Sequence, residues 1–289
     1  MKLGLLLLSV PLFACEPLSH EAEWAREPAT PGPLSLEPAP VAPALGAALT
    51  VVTFNVNYGL AGCDGPGVCS ADPDTLGALD GLEADLVLLQ ETNEGWERAL
   101  ASELGGELPY KSFQAPQKLA PGGMGVMSRY PIEEAEVLDS PVGWFPAQRL
   151  VLRTPDGPLQ VLNVHLRPMI SEGGSWVSGY FSTDHFRARE LSTYLPRLDR
   201  SLPTVVAGDF NEDVHNEGLR GLLDLGFTSA LAEHEPDART WRWEGVPLQL
   251  RLDHVAFDNR AFELVSAAVV ERGKSDHLPV KVVLRRKAG

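Results

Sequence analysis

Positive charge is scarce in this 289-residue chain: 24 Lys and Arg stand against 39 Asp and Glu, for a formal net charge of −15 at pH 7. Lys2 and Arg26 against Glu16, Glu21, Glu23, Glu27 and Glu37 put −3 on residues 1–48 and −12 on the rest. A domain that acidic lacks the overall basic footprint of a dedicated nucleic-acid binder. A local basic strip or a bound cation can still offset the charge, so cleavage of nucleic acid is not excluded. Cysteine is nearly absent, with Cys15, Cys63 and Cys69 alone. Two thiols in the main body, with no adjacent histidine, argue against a structural zinc site. The apolar stretch Leu3 to Val10 is too short to cross a bilayer. No internal repeat and no second linker interrupt residues 49–289. With 44% hydrophobic and 22% charged residues across the whole chain, residues 49–289 read as one ordinary globular domain.

Lys2 followed by the apolar run to Val10 fits an export signal over residues 1–15. It ends in Leu12-Phe13-Ala14-Cys15, which resembles a bacterial lipoprotein lipobox. The resemblance implies acylation of Cys15 and a lipid anchor in a membrane facing the periplasm or the cell surface; two or three acyl chains hold stably where one binds marginally. Residues 16–48, rich in Pro, Ala and Glu, read as a semi-extended tether without a packed core. In an exported chain the pair Cys63 and Cys69, separated by the turn formers Asp64-Gly65-Pro66-Gly67, suggests a disulfide.

Strand and helix patterns then alternate. Leu49 to Val56, Ala84 to Glu91, Gln148 to Thr154, Leu159 to His165, Leu252 to Phe257, Phe262 to Val270 and Val280 to Leu284 read as strands. Gly123 to Ile132 reads as strand, turn, strand. Asp72-Pro73 opens a helix running to about Leu82, and Asn93 caps one through about Leu104. Further helices are expected over Thr183 to Leu198 and Glu217 to Leu225. Several consecutive strands look antiparallel, which predicts an α/β (α+β) arrangement with mixed sheets, two of them packed face to face and helices outside.

The most informative stretch is Thr204-Val205-Val206-Ala207-Gly208-Asp209-Phe210-Asn211. A short apolar run stopped by glycine is a buried strand, and period two places Asp209 and Asn211 on one face. Polar groups at the end of a buried strand are costly unless a cation or a phosphate pairs with them. The same arrangement recurs with Asn55, Glu91, His165, Asp253, and Asp276 with His277. One such residue alone is usually a cap or turn. The repeated choice of Asp, Glu, Asn and His makes a shared site the better explanation.

These motifs resemble the endonuclease/exonuclease/phosphatase superfamily: Thr53-Phe54-Asn55, Leu88-Leu89-Gln90-Glu91, Gly125 to Ile132, Asn163-Val164-His165-Leu166, Gly208 to Asn211, Leu252-Asp253-His254-Val255 and Ser275 to Val280, in the family's order. The resemblance implies a four-layer αββα sandwich with the site at one edge of two sheets, and Mg²⁺- or Mn²⁺-dependent hydrolysis of a phosphate ester. It implies Glu91 as the main metal carboxylate with Asn55 and Asp276 near the ion. Asp209 would orient or deprotonate the attacking water, and Asn211 would hold a phosphate oxygen. His277, paired with Asp276, would bind or protonate the phosphate, and His165, oriented by Asp253, would assist it or the leaving group.

The chemistry asks for the same types: hard oxygen ligands for Mg²⁺, in-line positioning for phosphoryl transfer, and imidazoles that can yield a proton near neutrality. The substrate stays open among nucleic acid, lipid as in a sphingomyelinase-like phospholipase C, and a small phosphate monoester, with a monomeric protein expected. A non-catalytic binding module on the same fold is the alternative of another class, disfavoured because such a module has no use for so many buried carboxylates. Arg149 and Arg187 are expected as supporting or surface arginines. Ser128 is structural, and His254 faces away from Asp253's side. His20, His185, His215 and His234 read as surface histidines. Trp144-Phe145, Trp241, Trp243 and the loop aromatics Trp176, Tyr180 and Phe181 are expected in packing before substrate contact.

Overall fold

The structure is a computed structural model and describes residues 48–65, 68–170, 174, 179, 182–243 and 247–287. The signal segment with Cys15, nearly all of the tether, and Trp176, Tyr180 and Phe181 lie outside the described residues.

In chain order the strands are β1 (Ala48–Asn55), β2 (Ala61–Gly65), β3 (Val68–Ala71), β4 (Leu86–Gln90), β5 (Tyr110–Gln114), β6 (Met124–Ser128), β7 (Ile132–Leu138) and β8 (Ala147–Thr154). They continue with β9 (Gly157–His165), β10 (Thr204–Asp209), β11 (Phe227–Ser229), β12 (Trp241–Arg242), β13 (Gln249–Leu250), β14 (Asp253–Asp258), β15 (Phe262–Val269) and β16 (Val280–Arg286). The helices are α1 (Pro73–Leu76), α2 (Glu94–Leu104), α3 (Asp184–Tyr194), α4 (Glu217–Asp224) and α5 (Ala230–His234). One six-stranded sheet runs β15-β16-β1-β4-β6-β5 and the other β11-β14-β10-β9-β8-β7. Both are mixed: β1 is parallel to β4 and antiparallel to β16, while β10 is parallel to β9 and antiparallel to β14.

Period two along each strand builds the layers. Val51 of β1, Leu86 and Leu88 of β4, Leu159 and Val161 of β9, Val205 and Ala207 of β10, and Val255 and Phe257 of β14 all enter the core between the sheets. The alternate residues Val52, Phe54, Val87 and Leu89 pack outward with Trp96 and Leu100 of α2. On the opposite outer face Leu162, Val164 and Val206 pack with Leu191 and Tyr194 of α3 and Leu219 and Leu222 of α4. The result is the αββα sandwich.

The same parity aims Asn55, Gln90, Asn163, His165, Asp209 and Asp253 at the space between the sheets. Parallel pairing puts the C-terminal ends of β1 and β4 together, and those of β9 and β10. Antiparallel β14 and β16 begin at those ends. One sheet edge therefore collects all the polar termini.

Beneath that edge a polar seam joins the sheets. Gln90 Nε2 donates to Asn163 Oδ1 at 2.7 Å, and Asn163 Nδ2 donates to the carbonyls of Leu89 and Gly125 at 3.1 Å each. Gly208 is required next to it. Its φ is +144°, and a Cβ there would meet the Val164 carbonyl oxygen at 1.9 Å, so β9 and β10 close up only around glycine.

Two helices end earlier than expected. α1 stops at Leu76 and gives way to a 3₁₀ turn over Gly77–Leu79, and α3 stops at Tyr194, followed by a 3₁₀ turn over Leu195–Arg197 that contains Pro196. Proline supplies no N–H to extend the helix. Asp72 and Asn93 cap as expected, accepting from Thr75 N–H and Trp96 N–H. Cys63 and Cys69 form the expected disulfide across the β2–β3 hairpin.

Candidate active site and metal centre

Asp209 is the hub. Its Oδ2 lies 3.1 Å from Asn55 Nδ2, 3.5 Å from His165 Nε2 and 3.6 Å from His277 Nε2. Its Oδ1 accepts the Asn211 backbone N–H at 2.9 Å. Asn55 Nδ2 also donates to Glu91 Oε1 at 3.1 Å, which links the two sheets' carboxylates through one amide. Glu91 Oε2 accepts the Tyr58 N–H at 3.3 Å. Residues as far apart in sequence as Asn55 and His277 thus share one pocket.

The backbone is bent to deliver them. Four non-glycine residues have positive φ among the described residues, and three are here: Asn57 at 60°, Glu91 at 58° and Asn211 at 52°. Such conformations cost on the order of 1–3 kcal/mol each and persist where surroundings enforce them.

Two expected pairings are corrected. Asp253 serves His277, not His165: its carboxylate oxygens lie 2.9 and 3.1 Å from His277 Nδ1. In β14, Asp253 stands opposite Asp209, while His277 comes from the segment preceding β16 and reaches across the sheets. Asp276 does not pair with His277 either. Asp276 accepts instead from Asn57 Nδ2 and Trp241 Nε1, both at 3.0 Å. Asn211 gives a side-chain N–H to the Leu166 carbonyl at 2.9 Å, so it holds the segment after His165 as well as facing the site.

The imidazoles differ in charge. His165 is fully enclosed, and burial, reinforced by positive charge at His277, drives it down to about 3. It is a neutral ring. Burial opposes protonation of His277 too, but the carboxylates of Asp253, Asp209 and Asp276 outweigh it and hold His277 well above the usual histidine range. It is an imidazolium. Burial raises Asp209, with Asp253 adding to the rise and His277 opposing it. Glu91 is raised by burial against the Asn55 hydrogen bond.

Glu91, Asp209, Asp253 and Asp276 therefore meet in a small volume, and among the described residues no Lys or Arg forms an ion pair with any of them. That deficit of positive charge, with hard oxygen donors, fits a divalent cation of the Mg²⁺ or Mn²⁺ type. Asp209, Asp253 and His277 also lie close enough to share an ion. The hydrogen bond from His277 to Asp253 already occupies part of that trio, and Glu91 with Asp276 offers oxygen ligands of the kind Mg²⁺ prefers.

Asn57 and Ser275 escaped the sequence reading as supporting residues, while Trp241 and Phe145, expected in packing, touch the site. Asn57 and Trp241 bracket Asp276. Ser275 Oγ donates to the Asn55 carbonyl at 2.8 Å and accepts the His277 N–H at 3.2 Å. Phe145 stacks on His165 with centroids 3.9 Å apart. A signal existed for Ser275, which sits in the quoted motif; the others required coordinates.

Ser128, Arg149 and His254 stand as expected, whereas Arg187, expected at the surface or supporting the site, is a fully buried core residue. Ser128 Oγ accepts the Tyr130 N–H, Arg149 pairs with Glu134, and Arg187 is buried against Glu212 and Asp184. His254 faces the outer layer between Ser229 and the Glu212 carbonyl.

Residues 52–277 match the family model described as Endonuclease/Exonuclease/phosphatase family. The chain belongs to that family. No curated protein matched the sequence. Among solved structures, the endonuclease/exonuclease/phosphatase from Beutenbergia cavernae DSM 12333 superposes with a TM-score of 0.65 at 22% identity, over 83% of this chain and 72% of that one. D. rerio TDP2 in complex with a single-strand DNA product gives 0.60 at 15% identity over 82% and 99%. An endonuclease/exonuclease/phosphatase family protein from Bacteroides thetaiotaomicron gives 0.59 at 16% over 85% and 100%. At such identities the likeness speaks for the fold. This family member carries a phosphoesterase fold with its polar residues at the shared sheet edge.

Proposed function

We propose that this chain is an exported, membrane-anchored, Mg²⁺- or Mn²⁺-dependent phosphoesterase that hydrolyses a phosphodiester with an activated water. The observation that carries the reading is the Asp209 carboxylate, flanked by a neutral and a charged imidazole and joined through Asn55 to Glu91. Asp209, raised toward neutrality, is suited to take a proton from water. Asn55 holds its carboxylate and that of Glu91 in register. His277, charged and backed by Asp253, neutralises a phosphate oxygen and has a proton for the leaving oxygen. His165, neutral, offers a hydrogen bond through Nε2. Glu91 and Asp276 would hold the cation, which would supply neutralisation of the developing phosphate charge.

Lipidation at Cys15 would place the domain at a membrane, and the Cys63–Cys69 disulfide supports passage through an oxidising compartment. The DNA product bound to D. rerio TDP2 supports DNA as one candidate beside RNA, sphingomyelin and small organic phosphates. The test is hydrolysis of bis-p-nitrophenyl phosphate with Mg²⁺ or Mn²⁺, followed by that substrate panel. Turnover lost with EDTA and in Asp209→Ala is expected; turnover that survives both, or none with either ion, sinks the proposal.

A further inference from the structure

His165 has no carboxylate behind it. Asp253 commits both oxygens to His277, and His165 is left with the Pro121 backbone, a weak partner that makes no full hydrogen bond to Nδ1. A ring so loosely held needs a further support. The flat face of Phe145 lies against it, 3.9 Å between centroids and 23° between planes. Phe145 ends a loop organised by Ser140, whose Oγ accepts the Val142 and Trp144 N–H groups at 3.2 Å each. The Ser140 hydroxyl in turn donates to Glu190 Oε1 at 2.6 Å. The other oxygen, Glu190 Oε2, accepts the Arg167 backbone N–H at 2.8 Å, two residues beyond His165. One carboxyl on α3 therefore ties together the loop facing the imidazole and the segment leaving it.

That carboxyl is expensive. Glu190 is 0% exposed, and none of the ion pairs among the described residues includes it. An apolar side chain would be spared the cost of burying a carboxyl but would orphan the Arg167 N–H and the Ser140 hydroxyl. Its two hydrogen bonds reach the two segments that frame His165, and this gives the carboxyl a purpose that packing does not.

We propose that Glu190 and Phe145 are positioning residues for His165: Glu190 clamps the two loops and Phe145, held by that clamp, sets the plane of the imidazole. This rests on the reading of His165 as a group that contacts the phosphate. A ring held only by a long contact to Asp209 and a weak one to the Pro121 backbone can still turn about its side-chain bonds, and displacement of about 1 Å at a reacting group can cost up to roughly 100-fold in rate.

The experiment joins kinetics with NMR of the metal-free full chain carrying ¹³C-labelled imidazoles. His165→Asn assigns the His165 signal. Phe145→Leu preserves an apolar side chain but removes the ring current, so the His165 signal moves downfield while that of His277 stays. In the same variant kcat on bis-p-nitrophenyl phosphate with Mn²⁺ falls roughly tenfold with KM changed less than about twofold. Glu190→Gln, which offers an acceptor to one of its two donors, shifts the same signal less and lowers kcat less; Glu190→Ala does more of both. Ser140→Ala, severing one arm, matches Glu190→Gln and covers the case in which Glu190→Ala does not fold. An unmoved His165 signal in Phe145→Leu and Glu190→Gln overturns the proposal, as does a kcat loss accompanied by equal shifts of His165 and His277. Absence of any turnover in the native protein would instead defeat the functional reading, and the NMR arm would still decide the clamp.

Discussion

At the scale of single residues, the pairing of Asp253 with His277 has the clearest consequence. Sequence placed both at the site, because each ends or precedes an apolar strand. It could not pair them, because the partner of a carboxylate is set by how the two sheets stack, and that distance is not written into either local motif. The coordinates make a separable prediction. Asp253→Asn keeps the shape and a hydrogen-bond acceptor but removes the charge that most favours the His277 imidazolium. The His277 titration should move down, and any change at His165 should be smaller and secondary to the loss of the His277 charge, because Asp253 does not contact it. Activity should fall by roughly 100-fold or more if His277 carries the proton. NMR titration of the metal-free protein checks the pair; a His165 signal that moves while His277 does not would restore the pairing expected from sequence.

At the scale of elements, alternation found the long strands and the caps found the helix starts, since both signals are local. Short or cross-linked pieces were missed. β5 and β11 are brief and their neighbours decide them. Gly123 to Ile132 was legible as strand, turn, strand, yet β6 and β7 lie in different sheets, and nothing in the three connecting residues Arg129, Tyr130 and Pro131 records that crossing. The polar seam is another such case: Asn163 stood in a quoted motif, but its partner Gln90 is 73 positions away. Asn163→Ala removes the donor to two carbonyls and the acceptor for Gln90, and should destabilise by about 2–4 kcal/mol in urea unfolding. The double change Gln90→Leu with Asn163→Leu should cost less than the two single changes added, because no orphaned partner remains. A second buried tie, Arg187 with Glu212, joins α3 to the segment after β10. Burial pushes Glu212 up to about 7, with Arg187 pulling it back only in part. The folded state thus holds that proton more tightly than the unfolded chain. Its contribution is complete below the ordinary value of 4.5 and is lost as pH rises toward 7, on the order of 1.4 kcal/mol per unit. Glu212→Gln should flatten the decline of Tm between those two pH values, and an unchanged slope would show that Glu212 ionises normally in the fold.

At the scale of the whole molecule, the sandwich was legible because interleaved helices and antiparallel neighbours admit few architectures, and the ordered motifs carried the rest. What sequence could not supply is the charge balance of the site, since it depends on which carboxylates lack a cationic neighbour. Among the described residues Glu91, Asp209, Asp253 and Asp276 have no Lys or Arg partner and share the one His277, on a chain whose net charge is −15. Two effects of added Mg²⁺ must then be separated. Any salt screens the general repulsion of an acidic protein. A site-bound ion acts by mass action on the folded state, about 2.7 kcal/mol at a hundredfold excess over Kd. For a domain of this size that is roughly 5–10 °C in Tm. The comparison is thermal unfolding in Mg²⁺ or Mn²⁺ against NaCl of matched ionic strength, for the native chain and for Glu91→Gln. NaCl should raise both proteins slightly and equally. The divalent ions should raise the native chain by the larger amount and the variant by no more than NaCl does, because the hydrogen-bond donors that face Glu91 among the described residues, the Asn55 amide and the Tyr58 N–H, carry no charge. Equal shifts in the two proteins would mean that the ions act on the overall charge and that the carboxylate cluster does not hold one.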